Sequence, residues 1–160
     1  MKISKVLMIG GLLTISSGAV AHAGESEEAS LYERLGGMPG IRAVVDDLLP
    51  RILADSRINR WFAHAAIDPA AADHYKAMLA DLVCQATGGR CVYAGGDMAT
   101  VHKDRGITAE AFQAMVEDIT ATLDKLNVPQ IEKSQLLGLL APLKAAIVTA
   151  EQQKPQAAGE

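Results

Sequence analysis

Apolar residues return every three or four positions in four long stretches of the chain, and a sequence written this way is bound to helix. The first stretch runs through Ile41, Val44, Val45, Leu48, Leu49 and Ile52, and the second through Tyr75, Met78, Leu79, Leu82 and Val83. The third carries Phe112, Met115, Val116, Ile119, Leu123 and Leu126, and the fourth Ile131, Leu136, Leu139, Leu140, Leu143 and Ile147. Strand-like alternation is absent, as are internal repeats. With aromatics at only 4%, packing must come from Leu, Ala, Val and Ile, which favours helix on helix over an aromatic-rich β-sandwich. The fold class is therefore all-α, in one domain.

Punctuation between the stripes fixes the expected boundaries. Ser30 with Glu33 three residues on reads as a capping box, opening a short helix that Gly36-Gly37 ends. Pro39 suits the start of the next helix, and Pro50 inside it predicts a bend. Asp55-Ser56-Arg57 closes that helix and caps a short one bearing Trp61 and Phe62. Residues 63–73 read as a turn-rich, alanine-rich connection, with Asp73 capping a helix that begins at His74. Residues 88–97 are glycine-rich and irregular, followed by a short helix from Met98 to Lys103. Thr108 caps the third long helix, Asn127-Val128-Pro129 ends it, and Pro142 should bend the last one. Residues 151–160 form a polar tail.

The first 23 residues read as a signal peptide. Lys2 and Lys5 precede the apolar run from Val6 to Ile15, and Ala21-His22-Ala23 fits a cleavage site. The run is short for a membrane span, and no cysteine follows the cleavage site to take a lipid; an uncleaved anchor is the alternative. Cleavage leaves 137 of the 160 residues, a polar leader over 24–29 and a net charge of −6 in place of −4. The expected compartment is the bacterial periplasm. There Cys84 and Cys91, with six residues between them, can pair across Gly88-Gly89; two free thiols are the other reading. Their spacing fits neither zinc nor covalent c-type haem attachment. The acidic balance gives no footprint for nucleic acid.

Gly95 to His102 is the stretch that carries chemistry. It sets His102 one helical turn after Met98, on a short helix flanked by loops, and the mature chain holds only two other histidines, His64 and His74. A neutral imidazole can ligate iron through one nitrogen while the other donates to a backbone carbonyl. A histidine on an apolar stripe is more often a packed or solvated residue, so local sequence leaves both readings open.

Several segments, taken in order, resemble group 1 truncated haemoglobins. They are Ser30-Leu31-Tyr32-Glu33-Arg34-Leu35-Gly36-Gly37, then Leu53-Ala54-Asp55-Ser56-Arg57-Ile58, then Trp61-Phe62-Ala63 and Ala86-Thr87-Gly88-Gly89. Gly95 to His102 with Gly106-Ile107-Thr108 follows, then Val116-Glu117-Asp118-Ile119 and Leu140-Ala141-Pro142-Leu143. The likeness spans a domain of residues 30–150. It implies a two-over-two helical sandwich around one haem b per chain, with His102 as proximal iron ligand and Phe62 packed on the haem. Leu79, Met98 and Leu49 are further expected haem contacts. Leu49 stands where many members of the family carry a tyrosine that hydrogen-bonds bound O2, and the glutamine common on the distal helix is missing. The connection from Phe62 to Gly88 is longer than usual, so two alignments stay open. One turns Tyr75 inward with Leu79 a turn on; the other makes His74 a second axial ligand. A packed tyrosine and a solvated histidine are a third possibility.

The resemblance implies reversible binding of O2 or NO at the iron. The alternatives are NO dioxygenation or peroxidase-like chemistry, for which an exported chain would need an electron-donor protein, and a six-coordinate redox or sensor protein. A ligand-binding protein is favoured over a dedicated enzyme, since the sequence supplies no reductase domain or nucleotide site.

Overall fold

Ser30 forms the capping box expected of it: its hydroxyl accepts from the Glu33 N–H at 3.2 Å and the Glu33 carboxylate accepts from the Ser30 N–H at 2.8 Å. This opens α1 (Leu31–Arg34) in the computed structural model, which describes residues 28–149. The expected signal peptide, residues 24–27 of the expected leader and the 151–160 tail lie outside the described residues. Gly36 and Gly37 then take φ of +85° and +64°, a left-handed turn open to glycine at little cost. The chain reverses there into α2 (Gly37–Ala54).

A 3-10 turn (Asn59–Phe62) leads to α3 (Ala63–Ile67) and α4 (Pro69–Ala86). Helix α4 starts at Pro69 rather than His74, and the residues before it are helical instead of a turn-rich connection. Asp68, not Asp73, is the cap: its carboxylate accepts from the Ala70 N–H at 2.9 Å, and Pro69 fills the first helical position, where a missing N–H costs nothing. Asp73 sits inside α4, paired with Lys76 at 3.3 Å. After an irregular segment come α5 (Met98–His102), α6 (Ala109–Lys125) and α7 (Gln130–Leu140). A 3-10 turn (Ala141–Leu143) and α8 (Lys144–Ile147) complete the described fold. Pro142, expected to bend a single last helix, sits in the turn between α7 and α8.

Helices α2 and α4 make one layer, and α6 with α7 and α8 makes the other; α2 packs on both α4 and α6. Ile41, Val45, Leu48, Leu49 and Ile52 of α2 are all buried, as the periodicity requires. One core cluster joins Leu48 and Ile52 to Ile58, Ile107, Ala111 and Ala114, and a second joins Ile41 and Val45 to Ala80 and Cys84. Three stripe residues are corrected: Ile131, Leu126 and Leu139 are exposed rather than inward. On α7 the inward places go to Leu136 and to Glu132, whose carboxylate accepts from Arg34 Nε at 3.0 Å. On α6 the buried face is mostly one of smaller residues, Ala111, Ala114, Asp118 and Thr122, with Leu123 beside them, which lets α2 approach closely.

Candidate functional site

The larger side chains of α6 point elsewhere. Phe112, Met115, Val116 and Ile119 line a cavity of about 780 Å3 between the layers, facing Tyr75, Met78, Leu79 and Leu82 of α4. Leu48, Ile58, Leu143 and Ile147 extend the apolar lining, while His64, Asp68, His74 and Arg105 stand at its rim. The interior polar groups are few: the imidazole of His102 and the phenols of Tyr75 and Tyr93. Interiors of small domains keep only small gaps, and a space of this size with few convergent polar groups is what a bound organic group requires.

One wall is α5. Asp97 caps it, its carboxylate accepting from the Thr100 N–H at 3.0 Å. At its other end, His102 is half-buried with Nδ1 2.8 Å from the Met98 carbonyl oxygen. A carbonyl can only accept, so Nδ1 carries the proton and Nε2 keeps its lone pair for the cavity. The following loop is tied on two sides. Trp61 Nε1 donates to the Arg105 carbonyl at 2.9 Å. Ile107 and Thr149 exchange two bonds, Ile107 N–H to the Thr149 hydroxyl at 3.2 Å and Thr149 N–H to the Ile107 carbonyl at 2.9 Å.

Another part of the lining is aromatic and aliphatic. Phe62 and Tyr75 meet edge to face with centroids 5.1 Å apart. Burial, helped by the nearby Tyr93, pushes the Tyr75 phenol well above its ordinary value, so it is held as a neutral donor. No hydrogen bond engages its hydroxyl among the described residues.

The family model of the bacterial-like globins matches residues 30–149. The chain belongs to the bacterial-like globin family. This globin is 32% identical over 127 residues to the group 1 truncated hemoglobin GlbN of Mycolicibacterium paratuberculosis, covering 79% of this chain and 90% of that protein. With the group 1 truncated hemoglobin GlbN of Synechocystis sp. it shares 37% over 106 residues, 64% of this chain and 82% of the other. Among solved structures, the truncated hemoglobin of Tetrahymena pyriformis in its Fe(III) form superposes with a TM-score of 0.68 at 26% identity, covering 75% of this chain and 98% of that one. The 2/2 hemoglobin of Synechococcus sp. in the cyanomet state, with covalently attached heme, gives 0.66 at 28% identity, covering 76% and 99%. The group 1 truncated haemoglobins are thus this globin's kin, and the all-α two-over-two architecture is theirs.

The structure gathers most of the expected site residues of this globin around one space: His102, Phe62, Tyr75, Leu79 and Met98 all line the cavity. Leu49 does not. It is buried at 4% exposure outside the lining, and Leu48, one residue earlier, takes the cavity place, since neighbours on a helix diverge by about 100°. His74 and Tyr75 separate for the same reason: Tyr75 turns into the interior and His74 stays exposed at the rim. Sequence reasoning passed over Tyr93. It lies in the irregular segment 88–97, where no periodicity assigns a side, and the only signal was a large aromatic among glycines. Cys84 and Cys91 form a disulfide, with Cα atoms 5.8 Å apart, which removes the free-thiol reading.

Proposed function

We propose that this haem-binding globin holds one haem b in the 780 Å3 cavity, with His102 Nε2 as the proximal ligand and O2 or NO bound on the Tyr75 side. The observation that carries this is the His102–Met98 hydrogen bond of 2.8 Å, which leaves Nε2 of the neutral ring unprotonated on a side chain that lines the same cavity as Phe62 and Tyr75. The residues present fit the group: an apolar slot, one imidazole nitrogen with a free lone pair, and an aromatic edge pair in the same lining.

A bound haem supplies an iron centre that takes a diatomic molecule reversibly. The chain does the rest. The Met98 carbonyl, by accepting the Nδ1 hydrogen bond, orients the His102 ring. Phe62 and Leu79 exclude water from the distal space. Tyr75, kept neutral by burial, offers its O–H to a ligand that carries partial negative charge, which slows release; Leu48 and Leu49 can offer nothing.

Absorption spectra of the mature protein loaded with hemin, beside His102→Ala, test the reading. The expected result is a Soret band that weakens or shifts in the variant. Identical spectra would remove His102 as the ligand. The six-coordinate reading needs His74 to leave the exposed rim, and its mark would be a low-spin ferrous spectrum abolished by His74→Ala.

Export to an oxidising compartment is part of the proposal. It is supported by the Cys84–Cys91 disulfide and by the apolar run after Lys2 and Lys5. Any turnover chemistry there would draw on a separate electron-donor protein.

A further inference from the structure

Segment 88–97 forms a stretch of cavity wall with little else to hold it. It leaves the end of α4, sends Tyr93 into the lining and ends at the Asp97 cap of α5. Val92 is 78% exposed, and Arg90, Ala94 and Gly96 are exposed too. Its hydrogen bonds to α4 among the described residues are three, two of them at its very start: Gly88 N–H to the Gln85 carbonyl at 3.3 Å, Gly89 N–H to the Cys84 carbonyl at 2.8 Å, and Tyr93 N–H to Gln85 Oε1 at 2.8 Å. The Tyr93 hydroxyl reaches only the Gly96 carbonyl of its own segment, at 3.5 Å. Against this sparse set stands one covalent tie, Cys84–Cys91. Its anchor end is rigid: Cys84 has 0% exposure among Ile41, Val45 and Ala80 of the second core cluster. The segment crosses it so closely that a Cβ on Gly89 would lie 2.4 Å from Cys84 Sγ. Segments with few hydrogen bonds and high exposure open at small free-energy cost, and here the disulfide is the main term against opening.

We propose that the Cys84–Cys91 disulfide is a redox-addressable clamp on the cavity: a dithiol reductant opens it, releases the Tyr93-bearing wall and speeds loss of the bound group. Cys91 is half-buried where Cys84 is fully buried, so its sulfur is the one a reductant attacks. A thiolate of the dithiol attacks Cys91 Sγ, and Cys84 leaves as a thiolate and takes a proton. The second sulfur of the dithiol then displaces Cys91, which is protonated in turn. Two electrons and two protons pass to the protein, and the dithiol ends as its own disulfide. Helix α4 keeps its packing on α2, because Ala80 and Cys84 remain in the core with or without the bond.

The effect on bound haem rests on the proposed function; the opening of the wall does not. The test is therefore run in two arms on the mature protein with and without dithiothreitol. In the hemin-free protein, trypsin cleavage at Arg90, which lies between the two cysteines, is followed by mass spectrometry. In the hemin-loaded protein, transfer of hemin to excess apomyoglobin is followed optically. Reduction should raise cleavage at Arg90 by about tenfold and speed hemin transfer severalfold. The Cys84→Ala/Cys91→Ala double variant should behave as the reduced protein and ignore dithiothreitol, with its helical circular dichroism kept. Unchanged cleavage on reduction overturns the clamp, and so does collapse of helicity, which would make the bond a global staple. If the oxidised protein takes up no hemin, the proposed function falls while the trypsin arm still decides the clamp.

Discussion

The two walls of the cavity are built by opposite means. The His102 wall is a five-residue helix, too short to hold itself, and its place is set by hydrogen bonds from distant parts of the chain: Trp61 to Arg105, and Thr149 with Ile107. The Tyr75 wall is an 18-residue helix fixed by its apolar packing on α2. The difference teaches where each wall is vulnerable. Histidine geometry should respond to substitutions far from the cavity, whereas the chemistry of the other wall should depend on a single side chain, Tyr75.

The largest expected effect is on the first wall. His102→Ala should weaken hemin binding more than about 100-fold, since loss of a partner that merely orients a ligand already costs about 10–100-fold; hemin titration measures it. Next comes a substitution remote from the ligand. Thr149→Val strands the buried Ile107 N–H and should cost about 2 kcal/mol in thermal or urea unfolding, with a shifted Soret band in the loaded protein. A variant that loses stability but keeps the wild-type spectrum would break the contrast, showing that α5 holds its own place.

On the second wall, Tyr75→Phe keeps the packing and removes one donor, so O2 release in stopped flow should accelerate by about tenfold, the weight of a single neutral hydrogen bond. An unchanged rate would mean that the distal wall acts by shape alone. Because burial raises the folded phenol above its unfolded value near 10, the folded state holds that proton more tightly. Its contribution is complete below about pH 10 and is lost as pH climbs past it. Tyr75→Phe should therefore flatten the alkaline fall in stability.

Asp118 belongs to neither wall and sharpens the contrast as a control. It is 8% exposed, and its Oδ2 has no partner among the described residues. Burial, with Asp55 nearby, raises its carboxyl against the pull of Arg51 and Arg57. A raised carboxyl binds its proton more tightly when folded, so stability from this residue declines as pH rises above about 4. Asp118→Asn should stabilise the protein at neutral pH by about 1 kcal/mol in urea unfolding and leave the haem spectrum alone. The smallest effect expected is at the rim, where His74→Ala should leave both ferrous spectrum and O2 release unchanged.

Legibility in the sequence followed the same divide between local and remote causes. Caps were readable because they act within three residues: Ser30 with Glu33 and Thr108 with Ala111 N–H at 3.1 Å formed as the spacing required. The start of α4 was not, since Ala70 to Ala72 have high helix propensity but no amphipathic pattern to reveal it. The stripe of α6 was seen and its meaning missed. Phe112, Met115 and Ile119 have the period of a core face, and periodicity cannot tell packing against another helix from facing a cavity. His102 stood out through scarcity of histidine and the family resemblance. The turn of Leu48 rather than Leu49 to the cavity depends on how α2 is rotated by its packing on α4 and α6, which no local pattern states.

The pairing of Arg34 with Glu132 has a consequence for how the chain comes to be folded. It joins residues 98 apart in sequence, and the Ile107–Thr149 exchange closes the far end, so both tethers wait for the last helices to emerge. Contacts at such separation form late, after loop closure has been overcome. Helix α1 packs directly on its neighbour α2, but its charged tether waits for α7, so the fold is completed where the two ends of the chain meet.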